Sequence, residues 1–212
     1  MTLLVAAAGA LLSAALHTQA PPTAASAKAP EQCLPKDEAA QTPDFFSFRA
    51  QLQMAVARRD RTAVLAVTHP NIRTSFGPDD GRRSFERDLS DPNGPLWGEL
   101  ASVLALGGTF DRYGTFVAPY TFGCGEAFED VVVIGSKVSV RAKPAASAPV
   151  VAVVDFAILR GHLDGSAWAE VTLARGQKGF IAARFVRSPV GYRAFFEKVG
   201  GAWRLITFIA GD

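Results

Sequence analysis

The sequence predicts an α+β protein in which a mainly helical part is followed by a part rich in β-strands. Apolar side chains recur at spacings of three and four in residues 44–56, which is the period of an α-helix. From residue 130 onwards, short apolar runs and alternating patterns replace this period, as is typical of strands. The pattern ends in a predicted β-hairpin within residues 188–212.

The N-terminal segment predicts export. Residues 1–27 contain no Lys, Arg, Asp or Glu, and Leu3 to Leu16 is almost entirely apolar. That length suits a signal-peptide core and is too short to span a membrane comfortably. Ala25-Ser26-Ala27 offers a small-residue cleavage site, although the usual basic first segment is missing, so a buried Ala-rich helix is the alternative. We expect a periplasmic or secreted protein without stable membrane insertion after signal removal.

Two cysteines and a Pro-containing segment lie outside the predicted regular structure. Residues 28–43 are expected to form a linker arm, because three prolines interrupt a polar stretch. Cys33 lies in this arm and Cys124 lies far along the chain, and neither belongs to a CxxC pair. Lone cysteines most simply pair in an oxidising compartment, so a Cys33–Cys124 disulfide is predicted. Two unpaired buried thiols are the alternative.

Residues 44–126 are predicted to form the N-terminal α+β domain. After the first helix, a second short helix runs from Arg61 to Val67 and is stopped by Pro70. A further helix covers residues 97–106 and ends at a Gly-Gly pair. The aromatic stretch at residues 110–122 suits an irregular strand.

The predicted C-terminal hairpin has two possible places in the fold. Its strands contain residues 192–198 and 203–208, and Gly200-Gly201 forms the turn. The hairpin either extends the sheet formed by the preceding strands or returns to the N-terminal domain.

The region between these parts carries an ordered set of motif residues. They are Val138, Val140, Arg141, Pro144, Trp168, Lys178, Gly179, Phe180, Ile181 and Phe185. Their order resembles the bacterial SH3-like domain, which implies a small β-barrel over residues 130–187 in an exported protein. Family members commonly have a Gly near residues 155–158, where this chain has Asp-Phe-Ala-Ile.

The SH3-like resemblance implies binding to peptidoglycan, to a peptide of the cell envelope or to a protein partner. Its candidate binding residues are Arg141, Trp168, Phe180 and Phe185. Large aromatic residues are mainly packing residues, so the alternative for Trp168 and Phe180 is a place in the core. The alternative for Arg141 is a hydrogen bond to nearby carbonyl groups or a carboxylate.

A second resemblance gives a different functional hypothesis. The segment Glu-Lys-Val-Gly-Gly-Ala-Trp-Arg at residues 197–204 resembles the last hairpin of nuclear transport factor 2-like domains. This resemblance implies a domain that holds or acts on a small ligand, with the barrel inserted into it. An inhibitor or immunity-like protein is a third hypothesis, for which a flat exposed patch near Trp168 would be the sign.

The sequence carries no recognisable catalytic or metal-binding motif. His17, His69 and His162 form no HxxxH or HExxH pattern, and neither cysteine has the setting of a nucleophile. The net charge of +2 is too small to indicate a nucleic-acid partner. We therefore expect a non-enzymatic binding protein without a cofactor, a metal site or a nucleic-acid partner.

Overall fold

The computed structural model describes residues 30–211, which form four α-helices and two β-sheets. The helices are α1 (Pro43–Ala57), α2 (Arg61–Val67), α3 (Arg82–Ser90) and α4 (Leu96–Ala105). The strands are β1 (Thr68–Arg73), β2 (Thr109–Phe110), β3 (Phe116–Ala118), β4 (Asp130–Val133), β5 (Val138–Arg141), β6 (Val150–Val154), β7 (Ile158–His162), β8 (Trp168–Thr172), β9 (Lys178–Ala182), β10 (Val186–Arg187), β11 (Arg193–Val199) and β12 (Ala202–Ile209). The predicted signal peptide at residues 1–27 lies outside the described residues.

The five-stranded sheet has the order β1-β12-β11-β3-β2 and packs against the helices. The hairpin β11–β12 lies inside this sheet, between β1 on one side and β3 on the other. Gly200 and Gly201 form its turn with φ values of 59° and 83°, which glycine adopts without steric cost. β1 pairs in parallel with β12, and Thr68 lies opposite Leu205. Of the two places left open by the sequence, the hairpin therefore occupies the one beside the N-terminal helices.

Aromatic side chains fill the space between the helices and this sheet. α1 buries a stripe that includes Phe45 and Leu52, as its apolar spacing predicts. The ring of Phe45 lies 4.3 Å from Phe116 and 4.8 Å from Trp203, measured between ring centroids. Rings at such separations stabilise the core beyond their buried area. This unit is thus held together by packing between α1 and strands that are distant in sequence.

The seven-stranded sheet has the order β10-β4-β7-β8-β9-β5-β6 and its own apolar core. Inward-facing residues alternate with outward-facing ones; Ala169 and Val171 of β8, for example, are buried whereas Glu170 is exposed. β6 and β10 are the edges of the sheet and do not pair with each other.

The predicted fold class, a mainly helical α+β domain followed by a small SH3-like β-barrel and a C-terminal β-hairpin, is wrong. The described residues are 27% helical and 32% strand, and they form two open sheets with no closed barrel. A tight turn at Phe156, whose φ is 47°, leads the chain from β6 into β7. β7 then pairs with β4 and β8, so β6 is left as an open edge. The C-terminal hairpin supplies two inner strands of the five-stranded sheet.

The predicted disulfide between Cys33 and Cys124 is confirmed. Cys33 is buried, and its backbone N–H donates to the carbonyl of Phe156, 2.8 Å away. Five residues later, the N–H of Glu38 donates to the carbonyl of Gly108, 2.9 Å away. The arm thus contacts the seven-stranded sheet at one end and the helix-containing unit at the other.

Candidate binding site

The four binding residues predicted from the sequence lie on the outer face of the seven-stranded sheet or beside it. Arg141 ends β5, Trp168 begins β8, Phe180 lies in β9, and Phe185 ends a short 3-10 turn at residues 183–185. Trp168 and Phe180 are half-buried and lie outside the buried core of the sheet, while Phe185 is 38% exposed. The alternative that both aromatic residues belong to the core therefore does not describe this structure.

Strand register aligns two of these residues with two that sequence reasoning did not select. Glu170 lies opposite His162 on one side and opposite Phe180 on the other, and Phe180 lies opposite Arg141. Residues directly opposite each other in antiparallel strands have Cβ atoms about 4.5–5.5 Å apart. The row across β7, β8, β9 and β5 therefore presents an imidazole, a carboxylate, an aromatic ring and a guanidinium on one face.

An acidic cleft of about 330 Å³ lies on one side of Trp168. Its wall includes the carboxylates of Asp164 and Glu170, together with His162. The backbone N–H of Ser166 donates to Asp164 over 2.9 Å, and this hydrogen bond lowers the pKa of that carboxyl group, so Asp164 is ionised at neutral pH. Glu170 forms an exposed ion pair of 3.0 Å with Lys178.

A basic cleft of about 250 Å³ is also lined by Trp168. Three cationic side chains line it, those of Lys137, Arg141 and Arg184, and its lining contains no carboxylate. Arg141 donates from Nη1 to the carbonyl of Ala148 over 2.7 Å, which confirms the predicted bond to a nearby carbonyl. This bond fixes the side chain in place, and the guanidinium retains other donors for a ligand.

Trp168 lines both clefts, so the two are adjacent and differ in charge. The structure thereby brings together all four predicted residues, with Phe180 in the acidic cleft and Arg141 and Phe185 in the basic cleft. The sequence did not reveal the opposite charges of the two clefts. Strand register brings the charged side chains together, and sequence spacing does not show that register.

The remaining predicted features are placed as follows. His69 lies in β1, where its Nδ1 accepts a hydrogen bond of 3.1 Å from the N–H of Asn71. His17 lies outside the described residues. Within residues 30–211, no group of three or more His, Cys, Asp or Glu side chains is arranged to hold a metal ion. In the same range, no helix is long and apolar enough to cross a membrane.

The helix-containing unit, where the nuclear transport factor 2-like hypothesis would place a ligand, is densely packed. Large side chains that are almost fully buried occupy its interior, among them Phe45, Phe85, Phe116, Phe196 and Phe208. The packing of these side chains does not favour a ligand cavity between the helices and the sheet.

Comparison with protein-family models, with curated proteins and with solved structures finds no match to this chain.

Proposed function

We propose that this chain is an exported, non-enzymatic binding protein that holds a peptide component of the cell envelope across Trp168. The observation that carries the proposal is the pair of oppositely charged clefts that are both lined by this Trp residue. The ring offers an apolar surface for the body of the ligand, while the charged walls select its ends.

The arrangement of charge favours a dipolar ligand. A cationic group fits beside Asp164 and Glu170, and an anionic group fits beside Lys137, Arg141 and Arg184. The guanidinium groups of the two arginines can each bind a carboxylate through two hydrogen bonds. Cell-wall peptides carry free amines and carboxylates at short spacing, so they match both clefts. The reverse orientation would place like charges together and is disfavoured.

The disulfide supports an exported location. Disulfides persist mainly in oxidising compartments, which include the bacterial periplasm and the exterior of the cell. A periplasmic or secreted protein that binds the cell wall would meet its ligand there.

A pull-down on purified peptidoglycan tests this function. We expect wild-type protein to be retained, and Trp168→Ala and Arg141→Ala to reduce retention about tenfold or more, as for central residues of an interface. Tyr113→Ala and Arg83→Ala are matched controls, because both side chains are exposed and lie outside the two clefts. Circular dichroism must first show that each variant is folded.

Two results would overturn the proposal. Retention of Trp168→Ala equal to that of Tyr113→Ala would remove Trp168 from the binding surface. Absence of wild-type retention would exclude the cell-wall ligand and leave a protein partner as the alternative.

A further inference from the structure

A third cleft, of about 450 Å³, lies at the junction between the two sheets. We call it the junction cleft. α4 contributes Glu99 and Ser102 to it. Arg184 comes from the turn before β10, Arg187 from the end of β10, and Tyr192 from the segment that joins the two sheets. Binding sites for small molecules occur preferentially between structural units and have volumes of about 300–1,000 Å³. Its size and position are thus those of a site for a small molecule.

Arg187 places a buried positive charge in this cleft. Its side chain is 11% exposed, and it donates from Nη1 to Ser102 Oγ over 2.7 Å and from Nη2 to the carbonyl of Tyr192 over 3.2 Å. The carboxylate of Glu99 is 3.6 Å from Nη2 and is more exposed. Two neutral acceptors and one loose ion pair compensate this charge only in part. Burial lowers the pKa of Arg187, and Glu99 acts in the opposite direction.

Arg184 adds a second positive charge to the wall of the cleft. Its guanidinium carbon lies 4.6 Å from the centroid of the Phe185 ring, and the described part of the chain supplies no ion-pair partner for it. Two arginines against one glutamate leave the lining with a net charge of +1. The junction cleft therefore attracts a ligand with one negative charge.

We propose that the junction cleft binds a small organic monocarboxylate of about amino-acid to dipeptide size. The carboxylate would accept hydrogen bonds from Arg184 and Arg187, since the planar guanidinium fork matches a carboxylate. Apolar lining from Leu163 and Ile134 would contact the body of the ligand. Arg184 also lines the basic cleft beside Trp168, so the two proposed ligands share this guanidinium, whereas Arg187 and Glu99 belong to the junction cleft and not to the clefts at Trp168.

An NMR titration of the whole chain tests the site with N-acetylleucine as the probe. N-acetylleucinamide, which has the same shape without the charge, is the matched control ligand. We expect N-acetylleucine to give saturable shifts of the Ser102 and Tyr192 amide signals, with dissociation in the roughly millimolar range or tighter. We expect the amide to leave these signals unchanged. An acetylated pentapeptide with a C-terminal leucine tests whether the cleft prefers the terminus of a longer peptide to a small acid. Tighter binding of this peptide than of N-acetylleucine would overturn the small-acid assignment.

Two charge variants give opposite expected results. Arg184→Gln should weaken binding about tenfold or more, because it removes a charged hydrogen-bond donor. Glu99→Gln should strengthen binding, because it removes the carboxylate that competes for Arg187. If Glu99 only maintained the fold, its replacement by Gln would not increase the affinity for the acid. Arg83→Gln removes one positive charge, as Arg184→Gln does, but at an exposed position of α3. It should leave the affinity for N-acetylleucine unchanged.

Three further results would overturn the inference. The first is the absence of saturable shifts with N-acetylleucine. The second is equal binding of the acid and its amide. The third is loss of acid binding in Trp168→Ala, which would assign the carboxylate to the basic cleft instead.

Discussion

Arg49 shows how a buried charge is accommodated in the apolar stripe of a helix. The guanidinium lies within the aromatic unit, 5.7 Å from the ring centroid of Phe116. It donates to both carboxylate oxygens of Asp37 in the arm, over 2.8 and 2.7 Å. Burial acts to raise the pKa of Asp37, but hydrogen bonds from Arg49 and from the Ala39 backbone outweigh it and lower this pKa below the ordinary 3.8. The pair thus joins the arm to α1 through two charged hydrogen bonds.

Asp37→Asn should lower the free energy of unfolding at pH 7 by about 1–2 kcal/mol, because it leaves Arg49 buried without its counter-charge. A carboxyl group whose pKa is lower in the folded than in the unfolded state stabilises the fold at pH values above its pKa in the unfolded state. This stabilisation is lost as the pH falls through the folded value. The difference between wild type and variant should therefore be full at pH 7 and shrink below pH 3.8.

Urea denaturation across this pH range measures the effect of Asp37→Asn. Asp79→Asn is the control, because the Asp79 side chain is 82% exposed and its ion pair with Arg87 is 3.9 Å long. Equal stabilities of the two variants at pH 7 would contradict the role assigned to Asp37.

At the same scale, the sequence predicted part of the candidate site. Arg141, Trp168, Phe180 and Phe185 were selected because they match an ordered motif, and the structure places them around two adjacent clefts. Glu170 carries no local signal of its importance, since only strand pairing places it beside Phe180. Motif residues are therefore visible in one sequence, whereas their neighbours across strands are not.

At the scale of elements, two glycines shape the middle of the seven-stranded sheet. Gly161 of β7 and Gly179 of β9 lie opposite Val171 of β8, one on each side. A Cβ atom at Gly179 would overlap Cγ1 of Val140 in β5. The missing side chain therefore lets β9 and β5 approach closely, as glycine commonly does where a sheet bends.

Gly179→Ala should lower the free energy of unfolding by about 1–3 kcal/mol, because it overpacks this contact. Gly98→Ala is the matched control in α4, where an added Cβ meets no atom within 4 Å. We expect that control to raise stability by about 0.5–1 kcal/mol, because alanine favours a helix. Thermal unfolding of both variants measures the contrast, and equal stabilities would refute the close approach of β9 and β5.

Elements with local patterns were predicted from the sequence, and those defined by distant pairing were not. α1 is confirmed near its predicted bounds, because its apolar stripe is a local pattern. α2 and the hairpin β11–β12 are confirmed for similar reasons. The alternating residues 71–76 predict a strand that begins later than β1 does, since the parallel partner of β1, β12, lies far along the chain and leaves no local sign. The same limitation concealed the open edge at β6.

At the scale of the whole molecule, the arm and the disulfide connect the two units. Cys33 is bonded to Cys124, which lies in the connection between β3 and β4. Glu38 of the arm also accepts a hydrogen bond of 2.8 Å from the N–H of Phe110 in the five-stranded sheet. The bridge closes a loop over a sequence separation of 91 residues, so it restricts the unfolded chain strongly.

The double variant Cys33→Ala/Cys124→Ala should lower the free energy of unfolding by about 2–5 kcal/mol. Chemical denaturation with and without a reducing agent measures this effect. A reducing agent should lower the free energy of unfolding of wild type to about that of the variant. It should leave the free energy of unfolding of the variant unchanged. A variant as stable as oxidised wild type would show that the bridge contributes little.

The place of the hairpin β11–β12 determines the order in which the molecule can be completed during synthesis. The helices emerge first, but their sheet lacks two inner strands until residues 193–209 follow. All strands of the seven-stranded sheet lie before residue 193 in the chain, so this sheet can be completed before the five-stranded sheet. Until then, the aromatic face of α1 lacks its contacts with Phe196 of β11 and Trp203 of β12, although Phe116 of β3 is already present. Part of this apolar surface therefore stays exposed until the hairpin arrives, and exposed apolar surface of this kind promotes aggregation.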